Sequence, residues 1–256
     1  MSLQRENKLK KLLEQWPPGQ VATSKWLKSL GISSQLTQRY LNSGWIEQVG
    51  WGAFKKPKDK IEWFGGLASM QNQLGVAIHS GGPTALSILG SAHYVRFKKE
   101  ILFLFTRPVQ NVPTWFLQYN WNKPIKHIHT SFLPEDIGLI EVEYGGIKMK
   151  VSSRERAILE CLFLSPKLFD LLETYQILES LQTLRPDVMQ KLLVNCNSVK
   201  VKRLFLYMAK KAKLPVMNHL LLNEINLGLG DRAIVGNGVY VPEFKISIPK
   251  QLEEYV

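Results

Sequence analysis

The sequence has 256 residues, a net charge of +12 and 45% hydrophobic residues. This composition excludes a disordered chain, a collagen-like repeat and a disulfide-rich scaffold, while the length allows two packed domains. The positive charge is concentrated at the start, because residues 1–60 hold 11 Lys and Arg against 4 Asp and Glu. Such a basic segment is typical of proteins that bind a polyanion or an anionic surface.

The cysteines and the hydropathy pattern indicate where the protein resides. Cys161 and Cys196 lie in apolar helical patterns outside any Cys-x-x-Cys motif, which predicts two reduced, buried thiols. The polar start does not resemble a signal peptide, and no apolar run approaches the roughly 20 residues that span a membrane. We therefore expect a cytoplasmic protein that is not associated with a membrane.

The first 57 residues predict three helices followed by a two-stranded ribbon. Trp16-Pro17-Pro18-Gly19 ends the first helix, Thr23 caps the second, and Ser33 or Ser34 caps the third. Gly50-Trp51-Gly52 is a hairpin turn between the strands, and we expect the indoles of Trp16, Trp26 and Trp45 in the core. In chain order the elements are helices over 3–15, 24–29 and 34–42 and strands over 45–49 and 53–56.

This order of elements is that of a winged helix-turn-helix, which suits DNA. The third helix can lie in the major groove, about 12 Å wide, where Gln pairs with adenine and Arg with guanine. Lysines on the ribbon would neutralise phosphates, although modules of this shape also bind proteins. The predicted DNA-contacting residues are Ser33, Ser34, Gln35, Thr37, Gln38 and Arg39 on the third helix and Trp51, Lys55 and Lys56 on the ribbon.

A second, larger domain is predicted over residues 61–256, so that residues 1–60 form the DNA-binding domain. Helices and short strands follow one another without a repeat, which gives an α+β protein with a mixed α/β C-terminal domain. The predicted helices cover 62–74, 84–89 with Thr84 as its cap, 154–164, 168–181, 186–195 and 200–211. The predicted strands cover 76–79, 101–105, 115–119, 125–130, 139–144, 147–151, 233–235, 239–241 and 245–248.

Candidate catalytic and ligand sites in the second domain are incomplete. The loop over residues 80–84 precedes a helix whose N-terminus could hold an anion, but it lacks the spacing and the Lys of a phosphate-binding loop. His127 and His129 face the same side of a strand, yet further zinc ligands do not occur at standard spacing. We therefore predict no metal and no cofactor.

The helix that begins at Arg154 has an unusual first turn. Arg154 and Arg156 lie at a helix N-terminus, where the helix dipole disfavours positive charge. Such a placement suggests that the two arginines serve a partner or a phosphate. The alternative is an internal ion pair with Glu155, Glu160 or a strand carboxylate.

Several short motifs together resemble one known family. A small winged helix ends near Lys56-Pro57, and Gly81-Gly82-Pro83-Thr84-Ala85-Leu86 starts a helix that Gly90 closes, just before His93-Tyr94. A strand then leads into the segment over residues 151–157, Val-Ser-Ser-Arg-Glu-Arg-Ala. This combination is similar to the AbiEi antitoxins of type IV toxin–antitoxin systems. Pro83 departs from the polar or basic residue expected there, which weakens an anion-binding role for this loop.

The resemblance implies a function that composition and spacing do not show. AbiEi-like proteins use the winged helix to bind repeats upstream of their own operon and repress it. Their C-terminal domain counteracts a nucleotidyltransferase-like toxin without forming a stable complex, in systems that limit phage. The resemblance thus predicts a non-enzymatic antitoxin whose partners are operator DNA and such a toxin.

Two alternatives accompany this hypothesis. The first is a plain winged-helix transcriptional regulator whose second domain senses a ligand or forms a dimer. The second is a metal-dependent nuclease that uses the carboxylates of Glu135, Asp136, Glu141 and Glu143. The spacing of these four residues to a lysine departs from the usual nuclease pattern, which favours a solvated hairpin edge.

Overall fold

The computed structural model describes residues 2–91 and 101–255 of the chain, and His93 and Tyr94 of the family motif lie outside them. The chain folds into two compact units. The first unit comprises residues 1–79, 109–125 and 141–150, and the second comprises residues 80–108, 126–140 and 151–256. The chain therefore contributes to each unit in several separate segments.

The winged helix-turn-helix predicted from the sequence is confirmed in the first unit. It consists of α1 (Ser2–Gln15), β1 (Ala22–Thr23), α2 (Ser24–Ser29), α3 (Ser34–Asn42), β2 (Glu47–Gly50) and β3 (Ala53–Lys55). The strands form one antiparallel sheet in the order β1-β3-β2, with a bulge between Gln48 and Gly50. The side chains of Thr23 and Ser33 cap α2 and α3, as predicted, by accepting hydrogen bonds from the amides of Trp26 and Leu36.

An apolar core joins these elements. It consists of Leu12, Trp16, Ala22, Leu27, Ile32, Tyr40, Ile46 and Phe54, each at most 7% exposed. Trp16 is buried as predicted and Trp26 packs at the margin of this core. The prediction for Trp45 is wrong, since its side chain is 49% exposed. Trp45 follows Gly44 at the end of α3, and the inward position of that link is taken by Ile46 instead.

The remaining elements alternate helices with short strands, as expected. They are α4 (Trp63–Ser69), a π-helical turn (Met70–Leu74), β4 (Ile78–Ser80), α5 (Gly82–Ile88), β5 (Leu102–Thr106), α6 (Thr114–Gln118), β6 (Ile125–His129), β7 (Leu139–Tyr144), β8 (Ile147–Ser152), α7 (Arg154–Leu164), α8 (Leu171–Ser180), α9 (Pro186–Val194), α10 (Val199–Lys211), β9 (Arg232–Ala233), β10 (Val239–Val241), β11 (Ile246–Ile248) and α11 (Lys250–Glu254). Short 3₁₀ turns cover Pro215–His219, Leu222–Glu224 and Pro242–Phe244. The larger sheet has the order β6-β5-β4-β8-β7 and the smaller one the order β10-β11-β9.

Two local predictions in this part of the chain are wrong. The strand expected over residues 115–119 is the short helix α6, in which the adjacent residues Trp115 and Phe116 are both buried. Burial of neighbouring side chains fits a helix and not the alternation of a strand. Thr84 does not cap α5, because that helix already begins at Gly82. The Thr84 hydroxyl instead binds the backbone of β5, accepting from the amide of Phe103 at 2.8 Å and donating to the carbonyl of Ile101.

The core of the second unit is built around α7. Ala157, Ile158, Leu159, Cys161 and Leu162 of this helix are completely buried. Cys161 and Cys196 are both buried free thiols, as predicted, and burial raises the pKa of each. Among the residues that the structure describes, no helix is both long enough and apolar enough to cross a membrane.

Candidate nucleic-acid interface

The exposed face of α3 carries most of the predicted base-reading residues. Ser34, Gln35, Gln38 and Arg39 are all exposed, while Tyr40 on the opposite face is buried in the core. This arrangement follows from the sequence, since apolar residues recur at helical spacing and the polar ones fall between them. The helix therefore presents amide and guanidinium groups on a rigid, core-anchored support.

Two of the predicted residues on α3 have other positions. Ser33 is the N-cap of the helix, so its hydroxyl is already engaged by the amide of Leu36 at 3.3 Å. Thr37 is only 8% exposed, and its hydroxyl donates to the carbonyl of Ser33 at 3.1 Å. Thr37 thus lies on the inward side of α3, away from the face formed by Gln35, Gln38 and Arg39.

The lysines of the ribbon are held by groups within the winged helix. The Lys55 ammonium lies 2.6 Å from the carboxylate of Glu47, and this contact lowers the pKa of Glu47. Lys56 donates to the carbonyls of Leu13 and Trp16 at the end of α1. Both ammonium groups thereby fasten the ribbon, and much of the charge of Lys55 is offset locally by Glu47.

The hairpin turn projects a tryptophan. Trp51 is 88% exposed, more than the other tryptophan at the surface of the winged helix, Trp45, at 49%. The amide of Ser24, the first residue of α2, donates to the carbonyl of Gly52 at 2.8 Å. The N-terminus of α2 therefore lies beside the turn, a proximity that the sequence alone did not reveal.

The arginines at the start of α7 have different surroundings. Arg156 is 6% exposed, and its Nε atom lies 2.9 Å from an oxygen of Glu160, which confirms the ion pair considered from the sequence. Its Nη1 atom donates to the carbonyls of Pro134 and Ile137. Arg154 is exposed and donates to the hydroxyl of Ser91 at 2.7 Å and to the carbonyl of Leu89.

The carboxylate of Glu160 is the centre of this network. It is completely buried and accepts hydrogen bonds from the amide of Gly82 at 2.8 Å and the hydroxyl of Ser152 at 2.7 Å, in addition to that from Arg156. A Cβ atom at Gly81 would collide with the same carboxylate. The helix start that the sequence suggested for anion binding is thus filled by an anion of the protein itself.

Glu155 forms a second buried ion pair beside the first. Burial alone would raise the pKa of Glu155, but hydrogen bonds from Arg185 and Ser153 outweigh it and lower the pKa to about 2. A carboxyl group whose pKa falls on folding contributes stability above its unfolded pKa and loses that contribution as the pH falls through the folded value. Glu155 therefore favours the folded state at neutral pH and ceases to do so between about pH 5 and pH 2.

We predict that Glu155→Gln flattens the acid side of the pH–stability profile. The shift from 4.5 to about 2 corresponds to at most about 3 kcal/mol, and the 53% exposure of the Arg185 side chain reduces this through solvent screening. Urea unfolding at pH 7 and pH 3 measures the effect. The wild type should lose more stability over this interval than the variant, and equal losses would contradict the assignment.

The histidine pair has the orientation predicted but lacks a metal-binding cluster around it. The rings of His127 and His129 lie 4.0 Å apart, and both approach the hydroxyl of Thr106. Burial and the charge of His129 lower the pKa of His127 to about 4. Within residues 2–91 and 101–255, no three His, Cys, Asp or Glu side chains converge to hold a metal.

The acidic residues considered for a nuclease are all exposed. Glu135 pairs with Arg107 at 3.1 Å, and Asp136 follows it in the same loop. Glu141 and Glu143 lie on β7 with their side chains in solvent. Their exposure corresponds to the solvated hairpin edge that the sequence favoured.

The winged helix and the larger mixed α/β part define a winged-helix protein of two units. The profile of the family described as "Transcriptional regulator, AbiEi antitoxin N-terminal domain" matches residues 5–97. That described as "Transcriptional regulator, AbiEi antitoxin, Type IV TA system" matches residues 99–249. The chain therefore belongs to the AbiEi antitoxin family of transcriptional regulators, which confirms the resemblance found in its motifs.

One solved structure extends this comparison. The crystal structure of the RV2827C protein from Mycobacterium tuberculosis is similar with a TM-score of 0.60, over 93% of this chain and 88% of that chain. Its sequence identity is 14%, so the likeness concerns the fold alone. A comparison with curated protein sequences gave no match.

Proposed function

We propose that this protein is the antitoxin of a type IV toxin–antitoxin pair and represses its own operon through its winged helix. The observation that carries the DNA-binding part is the exposed face of α3, with Gln35, Gln38 and Arg39 on a helix anchored by a buried core. Gln and Arg are the side chains that read adenine and guanine in the major groove. Membership of a family of transcriptional regulators supports the same role.

The general affinity for DNA would come from the positive charge of the first 60 residues, with 11 Lys and Arg against 4 Asp and Glu. Lysines neutralise phosphates and release counterions, so binding should weaken steeply as salt increases. Lys55 and Lys56 also fasten the ribbon, and their contribution is therefore smaller than that of fully solvated lysines. Residues 1–60 are proposed as the DNA-binding part and residues 61–256 as the part that counteracts a nucleotidyltransferase-like toxin.

A gel-shift titration tests the DNA-binding proposal. Purified protein is titrated onto the DNA upstream of its own gene, with random DNA as competitor, at two salt concentrations. Selective retention that weakens with salt is the expected result. Equal retention of both duplexes, or none, would instead point to a protein-binding role for the winged helix.

We predict that Arg39→Ala weakens binding to the upstream DNA by about 1–3 kcal/mol, if Arg39 pairs with a guanine, and affects random DNA much less. Lys55→Ala should weaken binding to all duplexes modestly and reduce the salt dependence by less than one ion, because Glu47 already offsets part of its charge. Titrations at four salt concentrations compare the two variants. If both act equally on random DNA, α3 is not the reading helix.

A further inference from the structure

The tip of the β2–β3 hairpin exposes a large apolar side chain. Trp51 is 88% exposed, whereas Trp16 of the same winged helix is 1% exposed. A tryptophan buries roughly 150–250 Å² when it finds an apolar partner, so this exposure leaves a substantial apolar surface in water. The side chain adds nothing to the core of the free protein, and its position therefore requires another explanation.

The backbone holds this indole in place from two sides. Gly50 packs so closely against α6 that a Cβ atom there would lie 2.6 Å from the Cβ atom of Trp115. Gly52 adopts a φ of 73°, and its carbonyl is bound by the amide of Ser24. The two-residue turn is therefore braced, so that little backbone entropy is lost when Trp51 meets a partner.

The surroundings of Trp51 favour a nucleic acid as that partner. The exposed residues near the turn are polar or basic, namely Gln48, Ser24 and Lys25, and a protein-binding hot spot would instead have apolar neighbours. The positive charge of the first 60 residues complements DNA. Apolar side chains that enter the minor groove are known to separate base steps partially and to bend the duplex.

Resting on the DNA-binding function proposed above, we infer that Trp51 is a wedge that enters the minor groove and partly unstacks one base step beside the site read by α3. Pyrimidine–purine steps deform most easily. The wedge should therefore select a TA or CA/TG step at a fixed distance from the bases that α3 contacts. Specificity at that step would arise from deformability, without a hydrogen bond to a base edge.

Anisotropy titrations of the full-length protein on its upstream DNA test this inference. Trp51→Ala should weaken binding about tenfold or more, as loss of a base–aromatic stack does, while Trp51→Phe retains most of the affinity. The slope of log affinity against log salt should stay unchanged because Trp51 carries no charge. Trp45→Ala, a change at the other exposed tryptophan of the winged helix, is the matched control and should alter affinity less than about twofold.

Local unstacking is measured with 2-aminopurine in place of adenine at successive positions. Its fluorescence should rise at one step with the wild type and stay low with Trp51→Ala. Thermal melting checks each variant, and an exposed tip predicts no change for Trp51→Ala.

The outcomes separate the wedge from the function on which it rests. If the wild type binds but Trp51→Ala binds equally well, or if fluorescence rises at no step, the wedge is wrong and DNA binding stands. If Trp51→Ala converts a dimer to a monomer in sedimentation without any fluorescence difference, Trp51 contacts a second copy and the wedge is overturned. A wild type that binds no duplex overturns both proposals.

Discussion

Replacement of Glu160 by alanine is expected to lower the free energy of unfolding by about 3–5 kcal/mol. The Glu160 carboxylate is completely buried and accepts hydrogen bonds from the Gly82 amide, the Ser152 hydroxyl and the Arg156 guanidinium. Its removal leaves a buried positive charge and two polar groups without this acceptor. Breaking one partner of such a pair costs more than the pair contributes, because the remaining charge stays buried.

Urea unfolding of three variants measures this effect. Glu160→Gln keeps one oxygen that can accept from Gly82 or Ser152, so we expect it to be less destabilising than Glu160→Ala. Glu14→Ala is the control, because Glu14 forms an exposed ion pair with Lys10 at 4.0 Å, worth at most about 0.5 kcal/mol. A loss below about 1 kcal/mol for Glu160→Ala would mean that water or another group replaces the carboxylate.

The same experiment bears on the role proposed for Arg156. If toxin neutralisation by Arg156→Ala falls only in proportion to the loss of folded protein, the arginine supports the fold. If a well-folded Arg156→Ala fails to neutralise, its side chain acts in the antitoxin function itself. Arg154 is the informative comparison, since its guanidinium is exposed at the start of the same helix and its loss should cost little stability.

The sequence predicted those features that depend on neighbours along the chain. Thr23 and Ser33 cap their helices because a cap needs only an amide three residues ahead. The hairpin around Gly145-Gly146 and the amphipathic α3 follow from equally local rules. The order of three helices and a ribbon could therefore be predicted, and with it the face of α3.

The features that the sequence did not predict depend on distant contacts. Thr84 has the composition of a cap, but its hydroxyl binds the backbone of β5, nearly 20 residues later along the chain. The role of Glu160 needed the knowledge that Gly82 and Ser152 face it, although its ion pair with Arg156 has the i, i+4 spacing that a helix brings together. Lys55 and Lys56 were assigned to DNA from charge alone, and only the structure reveals their partners Glu47, Leu13 and Trp16.

The limit of the winged helix is a further case. A boundary after residue 60 follows from Pro57 and the charged segment Lys58-Asp59-Lys60, which resembles a linker. Residues before this boundary nevertheless bind residues after it within the first unit. The Gln73 side chain donates to the carbonyl of Val21 and accepts from the amide of Thr23, both at 2.8 Å. Gly50 packs on Trp115.

A chain that begins at residue 61 is therefore expected to lose the folded structure of the rest of the first unit, residues 61–79, 109–125 and 141–150. The deletion removes the partners of Gln73 and the surface that covers Trp115, which is 5% exposed in the full chain. Exposing such an indole forfeits several kcal/mol of apolar burial, on the order of what Trp→Ala changes cost in a core. Amide hydrogen exchange should show these segments unprotected, while α7 and α10 of the second unit retain protection.

This expectation changes how the proposed division of labour is tested. Loss of neutralisation by the shortened chain would report a damaged fold as readily as a missing function. Gln35→Ala with Arg39→Ala in the full-length protein is the better test, because both side chains are exposed on α3 and their removal should leave exchange protection intact. That double variant should lose repression and keep neutralisation. If residues 61–79 stay protected in the shortened chain, the winged helix folds apart from them, and the boundary after residue 60 is a structural one as well.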